Sequence, residues 1–528
     1  MTGLVTHQQA QSSPVNENQM TGLATHQQAQ SPPVNENQMT RPVTQQRARR
    51  PSERPPPPER PIHSTAFGII IPPRLSPGDN VAERPPATRH TYTILQTSLL
   101  IPGDGAPLPD AALVIKDKLI AWVGPQNCLP TEYTACPHRI FPSIPYLMPG
   151  LWDVHVHFGG EPRGTDAGNG DNSLIFTQHP AISGARLAKG CWKALQRGYT
   201  SMRDVAGFGC EVSRAIEDGT IVGPNIYSSG ACLSQTGGHG DLFTIPPGDM
   251  QRAFGISFAT PGHWGSTQSM LVDGVEECRR AVRLQIRRGA KCIKIFASGG
   301  VLSLEDNPLY AQFSKEELDV IVSEAGRQER VVAAHVHGKP GIIAAVEAGV
   351  GTVEHVSFAD EECIRLIKKK GTIYVATRTI VDILLKGGGK GLTKYQWEKA
   401  QLCATHHLKA YKMAIEAGVP IALGTDTGPG FNMAVELEHA VKAGMSTLDA
   451  IKAATANGPL TLGAMAPKTG QLKVGYEADI LGLLANPVED VSVLQDRRNI
   501  MWVWKGGRLF KGPGVGPWGE DGEYLSDY

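Results

Sequence analysis

Two histidines, His155 and His157, stand two residues apart in LWDVHVHF (151–158). Successive side chains of a strand alternate faces, so residues i and i+2 share one. Two imidazoles on one face can share a metal ion, although a single such pair is weak evidence. The pattern continues downstream, with Lys294 in KIFASGG, His335 and His337 in AAHVHG, His355 in VEHVSF and Asp426 in ALGTDTG. Imidazole and carboxylate donors suit zinc or a similar divalent ion. Lys294 is the odd member, because a charged ammonium is expensive to bury. It either pairs with Asp426 or is driven neutral by nearby dications. A neutral amine can add carbon dioxide, and the resulting carbamate has two oxygens with which to bridge two metals.

The chemistry of such a set is hydrolysis. A hydroxide held by dications is a nucleophile near neutral pH, because metal binding lowers the pKa of water from about 15.7 to about 7. A metal also polarises an amide carbonyl and takes up charge as the tetrahedral intermediate forms. Asp426 can take the water's proton and hand it to the leaving nitrogen. Two more histidines are substrate-binding candidates. His337 shares a strand face with His335, and either orients a ligand or contacts a substrate carboxylate or the oxyanion. His239 lies in the Gly-rich stretch TGGHGD. Segment 298–314, SGGVLSLEDNPLYAQFS, is expected to cover the site. Arg203 reads as half of a structural salt bridge, with Asp204 as its candidate partner. Glu436, Glu438 and His439 read as a solvated helix face. The tail GPGVGPWGED lacks the GK[ST] of a phosphate loop.

Eight candidate strands must position these residues: 151–158, 200–206, 225–233, 292–298, 331–338, 351–358, 372–378 and 420–426. Amphipathic stretches such as GVEECRRAVRLQIRRGA and DEECIRLIKKKG separate them, several ending in Gly as helix C-termini do. Eight βα repeats predict an α/β protein with a (β/α)₈ TIM barrel over 148–469, whose reactive residues sit at the C-terminal strand ends. The flanking stretches 89–147 and 470–528 are β-rich and predict one small β-sandwich domain built from both ends of the folded chain. Residues 1–88 hold two copies of a polar unit (1–19 and 20–38) and the run RARRPSERPPPPERP. That composition predicts a disordered tail.

Lys+Arg and Asp+Glu are both 51, so the net charge is zero and a nucleic-acid partner is not expected. The nine cysteines form no CxxC pair, which excludes a zinc ribbon and disfavours a disulfide scaffold. With no apolar run fit to span a bilayer, no membrane partner is expected. With no apolar leader, the expected location is cytoplasmic, with non-classical secretion as the alternative.

The order HxH, Lys, His, His, Asp along successive strands resembles that of the amidohydrolase superfamily. MPGLWDVHVHF (148–158) is similar to its opening motif and GYEADILGLLANP (475–487) to its closing segment. The resemblance extends over residues 90–519 and is strongest to the imidazolonepropionase-like and prolidase-like branch. It implies two divalent metal ions, most readily Zn²⁺, bridged by N6-carboxylated Lys294 and a hydroxide. His155, His157 and Asp426 would hold one ion, and His335 and His355 the other. The implied substrate is a small-molecule amide joining a bulky acyl group to an amino acid. A dipeptide and a cyclic amide are the alternatives. The resemblance also implies a homo-oligomer, an octamer in form, for which Trp502, Trp504 and Trp518 are candidate packing residues.

Overall fold

The computed structural model describes residues 91–159, 180–256 and 268–520. The repeats and the Pro-rich run of 1–88 lie outside the described residues. The chain opens with β1 (Tyr92–Leu100), β2 (Leu108–Lys116), β3 (Leu119–Pro125) and β4 (His138–Pro149). Nine strands follow: β5 (Leu151–Phe158), β6 (Tyr199–Gly207), β7 (Asn225–Ser228), β8 (Cys232–Ser234), β9 (Ser269–Leu271), β10 (Ile293–Phe296), β11 (Val332–Val336), β12 (Thr352–His355) and β13 (Ile373–Val375). It closes with β14 (Ile480–Leu483), β15 (Ile500–Lys505) and β16 (Arg508–Lys511).

The two ends share one seven-stranded sheet, ordered β16-β15-β14-β4-β1-β2-β3. β14 lies antiparallel to β4, so the C-terminal strands complete a sheet begun by the N-terminal ones. Leu95, Leu113, Ile115, Leu147, Ile480, Trp504 and Leu509 form one core on it. The sequence predicts a sandwich here; the hydrogen bonds define a single sheet.

The middle strands form two parallel sheets, β13-β12-β11-β10-β8-β9 and β5-β6-β7. Phe296 lies opposite His335 and Val336 opposite His355, so the ends of β10, β11 and β12 assemble side by side. Two expected strands differ. Stretch 225–233 splits into β7, which pairs with β6, and β8, which pairs with β10. The break falls at Gly230, whose φ of +70° lies outside the β region. Stretch 420–426 makes no ladder and touches its neighbours through isolated bridges, Tyr374 to Ile421 and Val156 to Thr427. Side chains hold it instead. Asp153 accepts from the backbone N–H of Thr425 at 3.1 Å and from its hydroxyl at 2.7 Å. Gly424 lets it run close to β5, since a Cβ there would lie 2.6 Å from that of His155.

Helices cover these sheets for local reasons. In Glu361–Lys370 the Asp360 side chain accepts from Cys363 N–H, a cap that contributes about 1 kcal/mol. Lys368, Lys369 and Lys370 favour the negative C-terminal end, and Gly371 supplies the left-handed cap. Cys363, Ile364 and Ile367 form its buried face. No helix among the described residues is long and apolar enough to cross a membrane. The nine cysteines are all free.

Candidate active site

His155, His157, Lys294, His335, His337, His355 and Asp426 all line one cavity of about 310 Å³, together with His239. The described structure thus brings together every site residue read from the sequence. The His155 ring is fixed from behind, where Nδ1 lies 2.8 Å from Glu354 Oε2. Burial pushes the Glu354 carboxyl up, but Arg203 beside it and the hydrogen bond from His155 hold it below the usual carboxylate range. An ionised carboxylate only accepts, so Nδ1 carries the proton and Nε2 keeps its lone pair. His157 is turned the same way, with Nδ1 3.3 Å from the Ala206 carbonyl. Its Nε2 then faces Asp426 Oδ1 at 2.9 Å. His155 Nε2 lies 3.5 Å from the same oxygen and 3.5 Å from Lys294 Nζ. Lone pairs converging on a carboxylate oxygen form a cluster that a cation satisfies. Burial pushes Lys294 down from the ordinary amine value, towards the neutral form. Asp426 is carried at φ +58°, which turns its side chain out of the strand path.

His355 also has positive φ, +70°, and its Nδ1 lies 2.7 Å from Thr377 Oγ1. The His335 and His355 rings sit 4.6 Å apart. His337 Nδ1 lies 2.8 Å from Ser357 Oγ. Burial, with His239 and His407 nearby, pushes His337 down to about 3, so its ring is neutral at physiological pH.

The cavity is apolar in part. Leu242, Phe296, Val301, Leu302, Ile380 and Leu384 line it. Val301 and Leu302 come from the segment expected to cover the site, and Ile380 and Leu384 from the helix Arg378–Gly387. That segment is pinned down by the helix Lys394–Glu416, whose Lys399 Nζ donates to the Ser303 carbonyl at 2.6 Å.

Several residues differ from the sequence reading. Arg203 pairs with Glu354 at 2.7 Å rather than with Asp204, and it also donates to the Val154 carbonyl. Glu436 is not on a solvated face. It is 1 % exposed, accepts from the backbone N–H groups of Arg378 and Thr379, and so satisfies the first turn of the helix Arg378–Gly387. Burial raises its carboxyl to about 7. Trp504 lies in the sheet core with Trp502 against it, whereas Trp518 is 48 % exposed. Glu354, Thr377, Ser303, Asp306 and Lys399 went unread. Glu354 sat in plain view in VEHVSF, one residue before His355.

The Amidohydrolase family model matches residues 146–510, and the chain belongs to that family. Its α/β fold is of the TIM-barrel type. The chain is an ochratoxinase-like amidohydrolase, a hydrolase of amide bonds. It is 59 % identical to the ochratoxinase of Aspergillus niger over 433 residues, 81 % of this chain and 88 % of that protein. The crystal structure of A. niger ochratoxinase matches at a TM-score of 0.77 with 58 % identity, over 82 % of this chain and 98 % of that one. A Xaa-Pro dipeptidase crystallised with methionine in its active site matches at a TM-score of 0.67 with 28 % identity, over 80 % of this chain and 100 % of that one. The imidazolonepropionase of Nocardia farcinica is 24 % identical over 425 residues, 76 % of this chain and 92 % of that protein. The family uses divalent metal ions. Here the ligand atoms of His155, His355 and Asp426 lie within 4.8 Å of one another.

Proposed function

We propose that this chain cleaves an amide joining a bulky, largely apolar acyl group to an amino acid, with ochratoxin A as the candidate substrate and ochratoxin α and phenylalanine as products. The observation that carries the reading is the mixed lining of the cavity, a histidine and carboxylate floor and an apolar wall in one pocket.

His155, His157, Lys294 as its carbamate, His335, His355 and Asp426 would hold two divalent ions. The donor set supports this: two imidazoles are held from behind at Nδ1, and the buried amine of Lys294 lies 3.5 Å from His155 Nε2. Divalent ions supply Lewis-acid chemistry, lowering the pKa of water to about 7 and polarising an amide carbonyl. Asp426 takes the attacking water's proton and returns it to the leaving nitrogen, without which an amide anion would be a very poor leaving group. Glu354 and Thr377 keep His155 and His355 in one orientation. The apolar wall excludes water and receives the acyl group, while His239 and His337 contact the substrate carboxylate or the oxyanion.

We infer further that the two parallel sheets belong to one closed eight-stranded barrel over 148–469, counting β7 and β8 as one split strand and leaving β9 outside it, with 420–426 as the strand between β13 and β5. The isolated bridges on both sides of that stretch support this. The seven-stranded sheet, from 89–147 and 470–528, folds over as a sandwich; its two ends share one core, and the turn at Asp117 meets Gly507. Exposed Trp518 is the candidate contact of a homo-oligomer.

Likeness to a Xaa-Pro dipeptidase favours a second substrate class, the dipeptides. Phenylalanine release from ochratoxin A by zinc-loaded protein, run beside Xaa-Pro dipeptides and a chelator-treated control, separates the two. The expected result is chelator-sensitive release with a higher kcat/KM than any dipeptide. Turnover of dipeptides alone by a metal-replete sample would overturn the first reading.

A further inference from the structure

His239 is held more tightly than a surface loop histidine needs to be. Its ring stacks on His335 with centroids 4.4 Å apart and meets the Phe296 ring edge-on at 4.8 Å. It lies over Gly300, where a Cβ would come within 2.0 Å of its Cε1. Its backbone N–H donates to Gln312 Oε1. Its Nδ1 lies 2.9 Å from Ser303 Oγ and 3.5 Å from Asp306 Oδ2.

The hydrogen-bond directions can be worked out along this chain of groups. Lys399 can only donate, and its Nζ lies 3.2 Å from Asp306 Oδ1 and 2.6 Å from the Ser303 carbonyl. A carboxylate beside an ammonium only accepts, so the Ser303 hydroxyl donates its one proton to Asp306. That hydroxyl must then accept from His239, which places a proton on Nδ1. Among the described residues Nε2 has no hydrogen-bond partner, and it is the ring nitrogen left for a ligand in the cavity.

We propose that Asp306, acting through Ser303, is the positioning residue that fixes the His239 ring and leaves Nε2 to face the substrate. Lys399 anchors Asp306 in turn. Both are almost fully buried, 4 % and 6 % exposed. A buried ion pair of this kind is poor at raising net stability, because desolvation offsets the attraction, but it defines geometry well. It ties three distant parts of the chain to one orientation: the stretch after β8, the segment after β10 and the helix Lys394–Glu416. The proposal rests on His239 meeting the substrate, and it adds specificity machinery that touches neither the substrate nor the metal-binding cluster.

The test is a double-mutant cycle on the metal-loaded full chain with Asp306→Asn, His239→Ala and the pair, using the best amide the wild type cleaves. Asp306→Asn is expected to lower kcat/KM by about 10–100-fold with metal content unchanged, and to lower Tm because Lys399 loses its buried partner. In the His239→Ala background the same change is expected to do nothing further. Effects that multiply in the double variant, or loss of metal in Asp306→Asn, would overturn the proposal. A crystal structure of Asp306→Asn gives a readout independent of activity. The His239 ring is expected to rotate away from Ser303, and an unmoved ring would refute the proposal. Failure of the substrate reading shows separately, as a wild type that ignores N-acyl amino acids while the cycle on its actual substrate still collapses.

Discussion

The floor and the wall of the cavity are held by different kinds of force. The floor residues stand on or next to strands, and a buried carboxylate, carbonyl or hydroxyl sets each ring that Glu354, Ala206 or Thr377 touches. The wall comes from the end of β10, the loops that hold Leu242 and Val301 with Leu302, and the helix Arg378–Gly387, and is clamped by a few long-range side-chain contacts, chiefly Lys399 to Asp306 and Glu436 to the helix at Arg378. If the proposed reading holds, the floor carries the chemistry and the loop and helix part of the wall selects the substrate.

Four changes would break or sharpen that contrast. Lys294→Ala should abolish turnover and reduce metal content, measured by elemental analysis beside the activity assay; undiminished hydrolysis would separate the floor from a two-metal site. Glu354→Ala leaves the Arg203 guanidinium buried without its partner. It should cost about 3–5 kcal/mol in urea unfolding and weaken metal affinity by about 10–100-fold. On the wall, Leu384→Ala should weaken binding of a bulky acyl amide by about 1–3 kcal/mol and leave small dipeptides alone; equal loss on both would show that the wall does not select. The last change acts only through pH. Burial depresses His407 to about 4, from about 6.5 in the unfolded chain. The folded ring stays neutral while the unfolded one takes a proton, so its share of stability is lost as pH falls from about 6.5 to about 4. His407→Gln should flatten the stability curve there by about 1.4 kcal/mol per pH unit, with no change in the slope above pH 7.

The same contrast explains what could be read from the sequence. His155 and His157 announce themselves through strand alternation, and Lys294, His335, His355 and Asp426 through their places at strand ends. The sequence predicts a strand at 420–426, but that stretch makes no ladder and is held by Asp153 and the close approach at Gly424. Arg203 was recognised as structural, but Glu354 lies 151 residues away, and the nearer Asp204 was the natural choice. Glu436 looked solvated because its acidic neighbours suggest an exposed face, and nothing local announces a helix N-terminus packed against it. Asp306 and Lys399 are 93 residues apart. Local spacing carries no information about such a contact, since the fold alone creates it.

The most direct test of the central claim is a titration of Zn²⁺ into chelator-stripped protein, with bicarbonate present or withheld, while amide hydrolysis is followed. A floor in which carboxylated Lys294 joins two ions predicts that activity rises with the second equivalent and depends on bicarbonate. Full activity without metal, or with a single equivalent and no bicarbonate, would contradict it.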